Sequence, residues 1–195
     1  MPEIVKNIAE QNGESCMVTL SVSGGVSLKD HWEGNSGLQT KTLIEKERFD
    51  FVVLQDQSLA PIIEAEKTLS YGKKLADLAI QQGAQIIIYQ TWARKNNPDS
   101  QSKLDATFEK LALNTGAKIA PVAKAWHLTK RDFPVIELYD PDGSHPSELG
   151  SFLTALIFYK TIYKKSAIGS DFLPDPVHPN YELIQLLMNI ASQVR

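Results

Sequence analysis

The sequence predicts an α/β fold with a mainly parallel sheet, and three observations carry that prediction. Short apolar, β-branched runs recur at residues 16–22, 49–54, 84–90 and 118–122. Between them lie longer segments whose apolar residues repeat at helical spacing, and glycines stand where several of those segments should stop. Strands alternating with helices are the pattern of βαβ units, which need a parallel sheet with helices on both faces, a three-layer α/β/α sandwich.

Each element can be justified in turn. Residues 2–11 open the chain as an amphipathic helix: Ile4, Val5 and Ile8 share a face, Pro2 suits a first turn and Gly13 a stop. Residues 16–22 (CMVTLSV) read as a strand running into the Ser23-Gly24-Gly25 loop, with Cys16 a buried strand thiol. A helical segment containing Leu43 and Ile44 leads to residues 49–54 (FDFVVL), a strand that reads as buried on both faces. Residues 64–82 put Leu69, Leu75, Leu78 and Ala79 on one helical face ahead of Gly83. Residues 84–90 (AQIIIYQ) are the strongest strand run. A polar loop, Asn96-Asn97-Pro98-Asp99, precedes a helix around 103–115 that Gly116 closes. The last strand, 118–122, holds Pro121, which favours an end or an edge position. Helices dominate thereafter, one over 148–163 and an apolar one around 183–194 beyond Pro174, Pro176 and Pro179.

Size and composition limit the function classes. A chain of 195 residues suits one domain, here 1–195, with 166–195 as a C-terminal helical extension. Hydrophobic residues at 43% and charged residues at 22% are ordinary globular usage, which argues against disorder. A net charge of −3, with basic residues scattered among acidic ones, gives no footprint for nucleic acid. The lone cysteine excludes an internal disulfide and a cysteine-based zinc cluster. His31, His127, His145 and His178 form no compact ligand motif, so no metal and no cofactor are expected. The apolar stretches around 152–158 and 184–190 are shorter than the roughly 18 to 20 residues of a membrane span. The start lacks a basic segment followed by an apolar one, so no secretory signal is expected and the cytoplasm is the expected compartment, unless the N-terminus is incomplete and a signal precedes it.

In parallel sheets ligands bind beyond the carboxyl ends of the strands, so the loops starting at Ser23, Gln55 and Thr91 should share one rim. The stretch LYDPDGSHPS, residues 138–147, is the most informative. Asp142 and His145 are three residues apart, close enough for a turn to bring carboxylate to imidazole as a general base requires. A polar loop with an Asp-Gly turn, in which His145 caps the next helix, explains the same spacing. Trp92 and Trp126 could stack on a sugar ring or simply pack. Ser23, Ser27 and Ser58 lie on the expected rim, where turn hydrogen bonding and helix capping are the ordinary work of serine.

These blocks together resemble the SGNH or GDSL-like hydrolase superfamily, whose last block sets an Asp and a His three positions apart before a final helix. FVVLQDQS at 51–58 is similar to the strand end where members carry an oxyanion-binding Asn, or Gln in sialate and carbohydrate acetylesterase-like members. SGGVSL at 23–28 resembles the glycine block, and YQTWA at 89–93 and PVAKAW at 121–126 are similar to uncharacterised bacterial SGNH-like proteins. The resemblance implies a flavodoxin-like SGNH hydrolase fold and a serine esterase of small esters, with acetylated carbohydrate as the candidate substrate. It implies Asp142 and His145 as catalytic residues, and Gly25 and Gln55 as oxyanion donors. Gly24 could exchange with Gly25, which a tight turn alone would also explain. Gln57 and Ser58 are rivals of Gln55, whose amide could instead satisfy backbone at the strand end.

One departure from the family matters. Its nucleophile lies in a GDS- or GNS-like turn after a first strand that sits between the second and third, and no residue of this sequence matches that block. A shortened sequence with an internal Met1 is the favoured explanation, ahead of a sheet closed around the gap or a substitute nucleophile such as Ser23 or Ser58. The 195 residues by themselves are then expected to show little or no esterase activity. The rival reading from another class is a non-catalytic remnant that binds a glycan or acyl ligand. The residues do not set an oligomeric state.

Overall fold

The computed structural model describes residues 1–167 and 181–194. Pro174, Pro176, Pro179 and His178 therefore lie outside the described residues. By its internal contacts the chain divides into two compact units, Leu20–Ala120 and Met1–Thr19 with Pro121–Arg195.

Leu20–Ala120 holds the sheet. Strands β1 (Phe51–Leu54), β2 (Gln85–Tyr89) and β3 (Lys118–Ala120) are all parallel and lie in the order β1-β2-β3. The register pairs Phe51 with Gln85 and Ile87 with Lys118, so all three strands run out toward the same edge. Helices α2 (Leu28–Glu33), α3 (Thr40–Lys46), α4 (Ala60–Ile63), α5 (Ala65–Gln81) and α6 (Gln101–Thr115) complete this unit. Ile86 and Ile88 join Leu75, Leu104, Phe108 and Leu111 in one apolar cluster under α5 and α6, while Ile87 on the opposite face of β2 is equally buried. Such continuous burial explains the unbroken apolar run of this central strand.

The other unit is helical. Helix α1 (Pro2–Gln11), α7 (Val122–Asp132) and α9 (Tyr181–Gln193) all contact α8 (Glu148–Tyr163), which is buried at every position from Phe152 to Tyr159. A helix apolar on all sides needs neighbours on all sides, and this one has three. Lys160 ties α8 to the end of α9, donating to the carbonyls of Ser192 at 2.6 Å and Val194 at 2.7 Å. The Ser192 carbonyl lies in the last turn of α9 and the Val194 carbonyl just beyond it, so the ammonium acts as a C-terminal cap.

Two expectations fail. Residues 16–22 form no strand, and Met17, Leu20 and Val22 are 97%, 52% and 72% exposed. Apolar, β-branched residues favour extended backbone, but a strand also needs a ladder partner, and none of the described residues provides one. Cys16 is accordingly half-exposed instead of buried. Strand β1 is not covered on both faces either: it pairs with β2 alone among the described residues, and Val53 is exposed. That open edge is compatible with the absence of the first strand that the sequence resemblance implies.

Candidate active site

The DGSH turn is built from backbone outward. Ser147 N–H donates to the Leu138 carbonyl at 2.8 Å and Asp140 N–H to the His145 carbonyl at 2.9 Å, closing residues 138–147 into a small antiparallel loop. Gly143, at φ +67°, makes the reversal that residues with a Cβ rarely adopt. Inside this loop Asp142 Oδ1 accepts from the amides of Ser144 and His145, at 2.8 and 2.9 Å, and Oδ2 meets His145 Nδ1 at 2.5 Å. These contacts, first the imidazole and then the two amides, hold the Asp142 carboxyl down to about 2. It is therefore an anion at any physiological pH. A carboxylate on Nδ1 favours the tautomer with hydrogen there, which leaves the Nε2 lone pair available as a base. The imidazole is 76% exposed, so Nε2 is open to an incoming hydroxyl.

His145 does not cap the following helix. Ser147 does so, its Oγ accepting from Gly150 N–H at 3.1 Å and donating to the Glu137 carbonyl at 2.9 Å. The loop also rests on a close approach: a Cβ added to Gly150 would stand 2.2 Å from the Leu138 carbonyl oxygen and 2.9 Å from the Trp126 ring. Trp126 is buried edge-on to Tyr139, with ring centroids 4.8 Å apart, so it packs and offers no face to a sugar. Lys130 lies over the Tyr139 ring, 5.0 Å from its centroid. Burial, and secondarily Glu137, push the Tyr139 hydroxyl up to about 12.

In the sheet unit the loops that follow β1 and β2 meet, and the start of α2 joins the first of them. Asp56, two residues beyond β1, is buried and accepts from Leu28 N–H at 3.0 Å, Gln57 N–H at 2.8 Å and the Thr68 hydroxyl at 2.6 Å. One carboxylate thus joins the loop after β1 to the starts of α2 and α5. Its burial raises the carboxyl's pKa, against the hydrogen bonds from Thr68, Leu28 and Gln57. The loop after β2 reaches the same place, where Arg94 Nη2 donates to Ser58 Oγ at 2.9 Å. Gln101 pins that loop, accepting from Ala93 N–H at 2.7 Å and donating to the Thr91 carbonyl at 3.2 Å.

The individual candidates sort differently. Gln55 is exposed and its amide has no partner among the described residues. Backbone at the strand end is satisfied instead by Gln57, whose Oε1 accepts from Leu59 and Ala60 N–H at 2.8 and 3.0 Å. Gly25 is exposed at φ +72° in the turn before α2, a conformation that by itself accounts for glycine. Ser23 is exposed on the same turn, and Ser27 forms a capping box with Asp30 at the start of α2. His31 is a hydrogen-bonded packing residue, 2.8 Å from Thr40 Oγ1, and its burial lowers the imidazole pKa. Among the described residues no group of three or more His, Cys, Asp or Glu side chains converges to hold a metal, and no helix is long and apolar enough to cross a membrane. Sequence reasoning missed Asp56 and Arg94. An ionisable residue two positions after an apolar strand was the available signal for the first; nothing local marks the second.

No protein-family model matches the chain, and no curated protein matches it in sequence. Solved structures do. The chain is similar to a protein from Slackia heliotrinireducens named as a proposed SGNH hydrolase, with TM-score 0.71 and 29% identity, over 83% of this chain and 91% of that one. It is also similar to a DUF4886 family protein from Bacteroides uniformis, with TM-score 0.78 and 17% identity, over 96% of this chain and 86% of that one, a likeness of fold alone. The chain has the α/β fold of an SGNH-like hydrolase.

Proposed function

We propose that this chain is the acid–base part of an SGNH-like serine hydrolase acting on small esters, with acetyl groups on carbohydrates as the candidate substrates. The observation that carries this reading is the 2.5 Å contact of Asp142 Oδ2 with His145 Nδ1, in a turn that leaves the imidazole open. In such chemistry His145 Nε2 takes the proton of an attacking hydroxyl and later gives it to the leaving alcohol, while Asp142 orients the ring and stabilises its protonated form. Oxyanion donation is assigned to the Gly25 amide and the Gln55 side chain on the family resemblance.

The family's nucleophilic serine has no counterpart among the 195 residues. The chain by itself is therefore expected to hydrolyse p-nitrophenyl acetate at background rate. A form carrying the upstream genomic residues, where these encode a strand ending in a Gly-Asp-Ser or Gly-Asn-Ser turn, is expected to turn it over, and His145→Ala should lower kcat by about 10⁴ or more. An extended form indifferent to His145→Ala would refute the assignment. Turnover by the 195-residue form that His145→Ala abolishes would point to a substitute nucleophile, Ser23 or Ser58. The same missing serine supports a second reading, a module that binds a glycan or acyl ligand without cleaving it. Saturable binding of an acetylated sugar with no turnover by either form would favour it.

A further inference from the structure

The rim of the sheet unit contains a cavity of about 410 Å³ between the loops that follow β1 and β2. Its polar wall consists of Arg94, Ser58, Asn96, Asn97 and Ser100, and no acidic side chain lines it. Arg94 makes no ion pair with any described residue. Its Nη2 donates to Ser58 Oγ, whereas its Nε is buried and meets no acceptor. A buried guanidinium donor without an acceptor is unfavourable, and native structures keep such groups where something outside the fold completes them. Leu59 and Ile62 supply an apolar wall to the same cavity.

We propose that this cavity is a binding site for a small organic carboxylate bearing a short apolar chain. The carboxylate accepts from the Arg94 guanidinium and from the Ser58 hydroxyl, whose oxygen already accepts from Nη2 and whose hydrogen remains to be donated. The planar fork of a guanidinium suits a carboxylate, and a carboxylate brings the negative charge that this wall lacks. The apolar tail lies against Leu59 and Ile62. This site shares Ser58 with the rim considered for the hydrolase but does not rest on that assignment: it is read by equilibrium binding, so its failure and the failure of the hydrolase reading are distinguishable.

The probe is sodium butyrate, titrated into ¹⁵N-labelled protein at constant ionic strength, with acetate, 1-butanol and inorganic phosphate as comparisons. Butyrate should shift the Arg94 Nε–H and the Asn96 and Asn97 side-chain amide signals saturably, with Kd on the order of millimolar. Acetate should bind roughly 15-fold more weakly for want of the two methylenes, and butanol should not bind. Arg94→Ala should weaken butyrate at least about 10-fold, and the milder Ser58→Ala about 3-fold, the latter guarding against a fold that needs Arg94. Absence of saturable shifts, or affinity unchanged in both variants, would overturn the proposal. Phosphate binding as tightly as butyrate would overturn the choice of a carboxylate.

Discussion

Asp142 carries its charge for a local reason, since its partners are the imidazole three residues on and two amides of its own turn. Its folded pKa of about 2 lies below the ordinary 3.8. The sign follows: its stabilisation of the turn is complete above the unfolded value and is lost as pH falls through about 2. The Ser144 and His145 amide shifts should therefore titrate with a midpoint near 2; a midpoint near 4 would mean that the carboxylate is not held. Asp56 behaves oppositely, because burial penalises its ionised form and its raised pKa makes any stabilisation fade as pH rises. Replacing it with Ala would leave the Leu28 amide and the Thr68 hydroxyl buried without partners. Urea unfolding should register a loss of about 2–4 kcal/mol. Asp56→Asn keeps an acceptor oxygen and sheds the charge, so it should remain within about 1 kcal/mol of the parent.

At the scale of elements, Gly150 sets a test between two known effects. Alanine in a helix is favoured over glycine by about 1 kcal/mol. Here its Cβ would meet the Leu138 carbonyl at 2.2 Å, and that strain, costing about 1–3 kcal/mol, should win. Gly150→Ala is expected to lower the melting temperature and to speed amide exchange at Asp140 and Ser147, the two ends of the loop that holds Asp142. Most elements could be read in the sequence, because α1, α5 and α6 each combine a helical period with a stop at Gly13, Gly83 or Gly116, and β2 and α8 are apolar runs of strand and helix length. Residues 16–22 could not, because extended propensity is local and a ladder partner is not. The pairing of Asp142 with His145 was legible for the converse reason, being made within one turn. Asp56 and Arg94 were not, since their partners Leu28 and Ser58 lie 28 and 36 positions away.

For the molecule as a whole the open side of β1 is the feature with the widest reach. Its ladder ends on backbone groups that β2 does not use, and Val53, Leu20 and Val22 stay in contact with water. A strand edge that no described residue pairs is a template for another chain, and natural sheets usually blunt it with lysine, proline or a bulge. Concentrated solutions should consequently scatter light increasingly with time, and Val53→Lys should delay that onset without altering the circular dichroism spectrum. Equal lag times for the two proteins would show that the border of the sheet is not where copies adhere. If the lag does lengthen, shelf life, tolerable stock concentration and yield in soluble form all depend on the short border formed by Phe51–Leu54.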